Sequence, residues 1–254
     1  MSAFTPYLPA RTRLVMLARL LTLQGSYNYE TMIGNGIAFA MEPALRLLPG
    51  GRGGDAYRAA MARQSRYFNA HPYFAAIAVG ALARAELSLE DPEQIERFRT
   101  AACGPLGSVG DRLVWAAWLP LCSLVALLVF GVGSSPTSVV MTFLLTYNAG
   151  HLALRVWGIN AGWRDGLRVA PALSAPIFRK GPVVLTRAAA LVAGVAIPFA
   201  VGQAAGAGPL GVLIIGAVGA AGAVMLATTR GRMQGWRASL VLLLAATIAA
   251  TVAR

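Results

Sequence analysis

Charge is what this chain is short of. Charged residues fill 13% of its 254 positions, about half the share usual in a soluble domain, and the ordinary cytosolic enzyme is excluded on that ground. Acids are scarcer still, ten in all, of which the four aspartates lie widely scattered and offer no paired catalytic carboxylates. The two cysteines, Cys103 and Cys122, form no CxxC pair; they read as packing residues and say nothing of redox compartment. No HExxH, GxSxG or P-loop is present, which argues against a stand-alone membrane-embedded enzyme. The stretch Gly206-x-Gly208-x-x-Gly211 matches a dinucleotide fingerprint by letter only, since no strand precedes it and Pro209 sits inside it.

What fills the space is apolar. Hydrophobic residues make up 57% of the chain and the mean hydropathy is +0.61, too high for disorder, while the 28 glycines show no collagen-like period. The composition is that of an all-α integral membrane protein. Its net charge of +12 is unevenly spread: residues 1–112 hold 12 arginines and 9 acids, whereas residues 113–254 hold nine arginines, Lys180 and Asp165 alone. The second surplus lies in short loops between apolar runs, where the positive-inside rule puts it, so nucleic acid is not the expected partner and the lipid bilayer is.

A span needs about 20 mostly apolar residues. The region 113–254 offers five: Leu113–Gly133, Thr137–Trp157, Val183–Gly202, Pro209–Thr228 and Arg237–Ala253. Loops bearing Arg164, Asp165, Arg168, Arg179 and Lys180, and later Arg230 and Arg232, alternate with uncharged ones. That alternation predicts a cytoplasmic N-terminus and an extracytoplasmic C-terminus. Arg187 lies close enough to the cytoplasmic end of its span to snorkel.

Region 1–112 reads differently. No cleavable signal peptide is evident; Leu14–Leu23 reads as a helix on the membrane surface, with a soluble packing helix as the alternative. Ile33–Leu48 and Tyr73–Leu89 are too short or too charged to span and are read as re-entrant or interfacial helices. Gly50–Gly54 reads as a turn, Asp55–Phe68 as a helix, and Leu87–Thr100, rich in Glu, Asp and Arg, as a solvated helical element.

Three polar clusters border these apolar segments, where unsatisfied polar groups are costly. They are Gln24–Glu30 followed by Gly34-Asn35-Gly36, then Phe68–Pro72, then Gly104–Asp111. Aromatic faces beside Asn, Glu and His suit a sugar, which offers C–H faces for stacking and hydroxyls for paired hydrogen bonds. Candidate sugar-binding residues are Tyr27, Asn28, Glu30, Asn69 and His71, supported by Asn35, Pro72 and Asp111; no metal or cofactor is expected. For Tyr27 the bland reading is an interfacial aromatic belt, and for His71 a packing histidine. Asp111 is expected to pair with Arg112 or a buried arginine, or to cap a helix starting at Leu113.

Ser26-Tyr-Asn-Tyr-Glu30 with Gly34–Ala40 and Pro43-Ala-Leu, Asn69-Ala-His-Pro72, Gly104-Pro-Leu-Gly-Ser-Val-Gly-Asp111, and Asn148-x-x-His151 with Arg155, Gly158 and Gly162 follow one another in a set order. In that order they resemble the IID subunit of the mannose/fructose/sorbose phosphotransferase-system (PTS) sugar transporters, across residues 14–168. Tyr27 stands where that family usually has Trp, and the stretch after Gly166 is short, basic and rich in Ala and Gly. The resemblance implies a bacterial inner-membrane subunit that moves a hexose-type sugar with a IIC partner, in a homo-oligomer of the IIC–IID unit, phosphate coming from cytoplasmic IIA and IIB components. It implies no phospho-histidine at His71 or His151. The alternative is a IID-like paralogue with a regulatory or assembly role. For the topology, a reporter that works only in the cytoplasm, fused after Arg254, is expected to be silent; activity there would overturn the orientation.

Overall fold

The computed structural model describes residues 6–206, 208–228, 244–245 and 248. The described residues are mostly helical and hold no strand, only two isolated bridges, Asn28 with Met32 and Met32 with Phe68. Ten α-helices follow one another: α1 Ala10–Leu20, α2 Gly34–Leu45, α3 Asp55–Gln64, α4 Ala75–Leu87, α5 Pro92–Gly110, α6 Leu119–Gly131, α7 Pro136–Asp165, α8 Ala170–Leu173, α9 Pro176–Ala205 and α10 Pro209–Thr228. A π-helical stretch, Asp111–Trp118, joins α5 to α6 without a break. Three helical segments are long and apolar enough to cross a membrane, Pro92–Gly131, Pro136–Arg168 and Ala170–Ala205, and a shorter apolar one covers Pro209–Val224. They cover the first expected span up to Gly131, contain the second and third and correspond to the fourth; the fifth, Arg237–Ala253, lies outside the described residues.

Two sequence readings are corrected here. The glycine-rich run Gly104–Asp111, expected to border the first span with Asp111 pairing with an arginine or capping a helix from Leu113, lies instead within continuous helix that starts at Pro92. Asp91 caps its start, its Oδ1 accepting from the Glu93 backbone N–H at 3.1 Å, and Pro92 takes the first helical position, where a missing N–H costs nothing. Asp111 therefore does not cap a helix starting at Leu113; it sits where α5 passes into the π-helical stretch, is exposed and makes no ion pair among the described residues. The Leu87–Thr100 element is likewise not solvated throughout, since Arg99 is 2% exposed.

The contacts divide the chain into two compact units, Met1–Trp115 with Ala149–Gly181, and Ala116–Asn148 with Pro182–Arg254. In the first, α4 is the core. Eleven of its thirteen residues are buried, from Ala75 to Glu86 with Arg84 the exception. A helix apolar on every side belongs inside, and here protein covers it. The C-terminal half of α7 lies against it at backbone range. A Cβ on Gly162 would fall on the Ile77 carbonyl oxygen, and one on Gly80 would fall on that of Ile159. Arg84 donates to the carbonyls of Trp163, at 3.1 Å, and of Arg164, a cation on the orphan acceptors of a helix C-terminus.

Beside α4, α1 and α2 are clasped through Glu42. Its carboxylate accepts from Arg19 at 2.9 Å, from Arg46 at 2.7 and 2.8 Å, from Arg52 at 2.9 and 3.1 Å, and from Tyr57 at 3.2 Å. Burial would raise its pKa, but the hydrogen bonds from Arg46, Arg52 and Arg19 outweigh that and hold it at about 2. Met16 and Leu20 of α1 face inward, while Leu14, Val15 and Leu21 stay exposed. In the second unit, Gly131 of α6 lets Phe199 and Ala200 of α9 approach closely, Cys122 is buried and free, and the Trp118 indole N–H donates to the Tyr147 carbonyl at 3.5 Å. Gly206 turns the chain between α9 and α10 at φ +64, so the fingerprint match there stands between two helices.

Overpacking a close helix crossing typically costs about 1–3 kcal/mol. Gly162→Ala is expected to lower the thermal midpoint of the detergent-solubilised protein. Gly104→Ala, where a Cβ would meet nothing within 4 Å, is expected to leave it unchanged or raise it.

Candidate functional site

The α1–α2 connection carries the first candidate cluster, and Asn28 shapes it. Its Oδ1 accepts from the backbone N–H groups of Glu30 and Thr31 at 3.0 and 2.8 Å, while its Nδ2 donates to the Ser26 carbonyl at 3.1 Å and to Thr31 Oγ1 at 2.9 Å. This is the Asx-turn chemistry that lets an asparagine replace backbone partners in a loop. It also occupies both ends of the amide, so Asn28 acts through the loop it folds. Met32 then adopts φ +52, a left-handed conformation unusual for an unbranched side chain and found where surrounding bonds over-determine the backbone. Those bonds are Met32 N–H to the Asn28 carbonyl at 2.8 Å and, on the next residue, Ile33 N–H to the Phe68 carbonyl at 3.0 Å.

That last bond joins the first cluster to the second. Phe68 N–H returns to the Thr31 carbonyl at 3.2 Å, and the absence of a Cβ on Gly34 lets α2 start against the Arg66 carbonyl. The structure thus brings the Tyr27–Glu30 loop against the segment that leads to Asn69. On this junction Tyr27 is half exposed and stacks edge-on against Tyr29 at 6.3 Å. Glu30 is exposed with no partner for its carboxylate among the described residues, and the Asn69 side chain is equally open, its backbone N–H donating to Cys103 Sγ at 3.5 Å. Asn35 is exposed and donates to Thr31 Oγ1 at 3.3 Å.

His71 lies apart from these groups, 2% exposed. Its ring is enclosed by Trp115 at 4.9 Å, Tyr73 at 5.0 Å and Phe74 at 6.1 Å, and Gly110 of α5 gives up a Cβ to make room for it. Nδ1 accepts from the Tyr73 backbone N–H at 3.2 Å, which assigns the proton to Nε2. That buried Nε2–H has no acceptor among the described residues. Burial, and then the positive charge of Arg155, lower the His71 pKa to about 4, so the ring is neutral at physiological pH. Pro72, also buried, precedes α4 without interrupting it, and the His71 carbonyl accepts from Ala75 N–H at 2.9 Å.

The fourth cluster closes on the same place. His151 of α7 stacks on Tyr73 at 4.3 Å, and the Arg155 guanidinium lies 5.0 Å from the Tyr73 ring while donating to the Leu20 carbonyl. Sequence reasoning missed the group that holds all this in position. Arg99 donates to Gln64 Oε1 at 2.5 Å and to the carbonyls of Arg66 and Tyr67 at 2.9 and 3.3 Å, with Phe68 beneath it at 5.4 Å. Gln64 passes a hydrogen bond to Glu86 at 2.7 Å, and Arg63 grips Glu86 at 2.9 and 3.0 Å. Tyr73 and Trp115 were missed too, although an aromatic beside His71-Pro72 is a visible signal. Among the described residues no group of His, Cys, Asp or Glu could hold a metal ion.

Residues 8–197 match the profile of the PTS system mannose/fructose/sorbose family IID component. The mannose-specific EIID component of Escherichia coli (strain K12) is 29% identical over 164 residues, covering 62% of this chain and 56% of that protein. The fructose permease IID component of Bacillus subtilis (strain 168) is 29% identical over 173 residues, covering 65% of this chain and 60% of that one. The chain thus spans less than two thirds of the length of these curated relatives. Among solved structures, the mannose transporter ManYZ in complex with a microcin aligns over 76% of this chain and 71% of its own, at 25% identity and a TM-score of 0.58. A second membrane-protein structure shares the fold over 74% of this chain and 70% of its own, at 24% identity and a TM-score of 0.65. With the profile covering most of its length, the chain belongs to the mannose/fructose/sorbose family of phosphotransferase-system IID components.

Proposed function

We propose that this IID component works in the bacterial inner membrane with a IIC subunit, moving a hexose-type sugar whose phosphorylation is supplied by cytoplasmic IIA and IIB proteins. The observation that carries this reading is convergence. All four family-like clusters meet on the segment from Arg66 to Tyr73, through the Phe68 bridge, the Arg99 clasp, the Gly110–His71 approach and the His151–Tyr73 stack. The sugar contact is assigned to the open side of that junction, facing the IIC partner. Tyr27 supplies a ring face, Glu30 a free carboxylate and Asn69 a free amide, while Asn28 holds the loop that presents them. His71 supports the site from within, its neutral ring offering a buried Nε2–H. A polar atom left unsatisfied in a buried place costs free energy unless something completes it, and a water or a sugar hydroxyl would do so.

Losing a hydrogen bond costs about 0.5–1.5 kcal/mol when neutral and up to about 3 when charged. Glu30→Gln and Asn28→Ala are therefore expected to weaken sugar binding by about threefold to a hundredfold, measured by sugar-dependent thermal shift of the protein assembled with its IIC partner. Glu93→Gln, on an exposed stretch of α5, is expected to change nothing. Unaltered binding in the Glu30 and Asn28 variants would sink the assignment.

His71 adds a pH signature. Its folded pKa lies below that of the free imidazole, so the unfolded chain binds the extra proton first as pH falls. Its contribution is present above about pH 6.5 and is lost between there and about pH 4. His71→Gln is expected to flatten the decline in melting temperature across that window, and an unchanged slope would refute the neutral buried ring.

A further inference from the structure

Between α1, α2 and α3 lies a cleft of about 360 Å³ lined by Arg19, Asn35, Phe39, Glu42, Arg52 and Ser65. It opens within the first unit, and its chemistry differs from that of the Tyr27–Asn69 junction. Three guanidinium groups, from Arg19, Arg46 and Arg52, share the single Glu42 carboxylate, leaving two positive charges uncompensated. Of these, Arg19 and Arg52 line the cleft itself, and Asp55 nearby in sequence is fully exposed and paired with Arg58 at 3.3 Å.

The donors are not used up. A guanidinium has five N–H groups. Arg19 spends Nη1 on the Phe39 carbonyl and Glu42, both at 2.9 Å, and Arg52 spends Nε and Nη2 on Glu42. The remaining nitrogens, Nε and Nη2 of Arg19 and Nη1 of Arg52, donate to nothing among the described residues. Arg19 is held rigidly, its guanidinium 4.4 Å from the Phe39 ring centroid, so its free edge is presented without the usual loss of side-chain freedom. Beside these sit the Asn35 amide, whose Oδ1 is unspent, and the half-exposed Phe39 ring.

We propose that this cleft is a second ligand site, which takes a phosphate monoester carried on a polyol. Such a group bears close to two negative charges at neutral pH and three strong acceptor oxygens, matching the two unbalanced charges, and arginine forks fit phosphate oxygens in pairs. The cleft volume is that of a small-molecule site, with Phe39 placed to cover the carbon face of the polyol and Asn35 to meet a hydroxyl. The same chemistry has two sources, a soluble sugar phosphate and the headgroup of a phosphatidic acid. The site uses none of the sugar contacts proposed above, Tyr27, Glu30 and Asn69; the two regions share only Asn35, whose amide also donates to Thr31 Oγ1, so Arg52→Gln, which touches no part of that loop, is the variant that separates them.

The test is binding to the full chain purified in non-ionic detergent, followed by calorimetry. The probes are glucose 6-phosphate, short-chain phosphatidic acid, and glucose as the uncharged control. Saturable binding of glucose 6-phosphate is expected, weakened at least tenfold by Arg52→Gln and separately by Asn35→Asp, two exposed positions on different elements whose replacement leaves α4 and its packing untouched. If phosphatidic acid alone saturates and both variants weaken it, the chemistry stands and the source is the membrane. Saturation by neither phosphate ester, or affinities that both variants leave unchanged, overturns the proposal. Failure here would leave sugar binding at Tyr27, Glu30 and Asn69 intact, whereas failure of the transport reading would leave this phosphate affinity intact.

Discussion

A guanidinium buried beside a helix end is the constraint on which the first unit depends. Arg99 is removed from water almost completely, and a charge in that position is tolerated only when hydrogen bonds replace its hydration. The replacement comes from the backbone carbonyls at the end of α3 and just beyond it, together with the Gln64 amide. Those carbonyls have no partner within their own helix. The charge therefore stabilises α3 where its macrodipole is negative, and the carbonyls stabilise the charge. Each half stabilises the other, and the segment from Gln64 to Phe68 is held between them.

Everything at the candidate site is indexed to that segment. Phe68, whose ring lies under Arg99, is the residue that bridges to Met32, so the shape of the Asn28 loop inherits its position from α5. The Glu86 end of the same network ties α3 to α4 through Gln64 and Arg63. Glu86 has its charge met by Arg63 and a further hydrogen bond from Gln64, while the Nε of Arg99 makes no hydrogen bond among the described residues and lies 3.5 Å from the Glu96 carboxylate. The loop that carries Tyr27 and Glu30 is thereby tied to the Phe68 segment, which α5 holds through Arg99, so its exposed side chains stand on a fixed backbone.

The overall class was legible because hydrophobic runs and arginine placement are direct physical signals, and three long apolar helical segments lie where the runs predicted. Residue-level errors have a common cause. Gly104, Pro105, Gly107 and Gly110 look like a loop when read by propensity, yet the helix continues through them because tertiary packing decides. Gly110 is needed bare so that His71 can sit against the helix. Arg99 looked solvated because Glu93, Glu96 and Arg97 flank it; a helix shows only one residue in three or four to the core, and no neighbour announces which. The meeting of the Tyr27 and Asn69 loops was readable from their chemistry, but not the division of labour within them. Whether an asparagine spends its amide on its own loop, as Asn28 does, is a matter of backbone geometry that composition does not carry.

The same distinction separates the two polar regions of this unit. Around Glu42 the positive charge exceeds what the carboxylate can balance, and guanidinium edges remain available for a ligand of opposite sign. At the Tyr27–Asn69 junction the exposed groups are of another kind: aromatic rings, an amide and the unpaired Glu30 carboxylate, with Arg66 paired to Glu96 at 3.7 Å, a surface suited to a neutral polyhydroxylated molecule. Repulsion from the exposed Glu30 would disfavour a phosphorylated sugar at the junction only modestly, while the proposed Arg19–Arg52 cleft would attract it. The two proposed sites would thus differ in the charge they accept, and the difference follows from where three arginines and two glutamates are held.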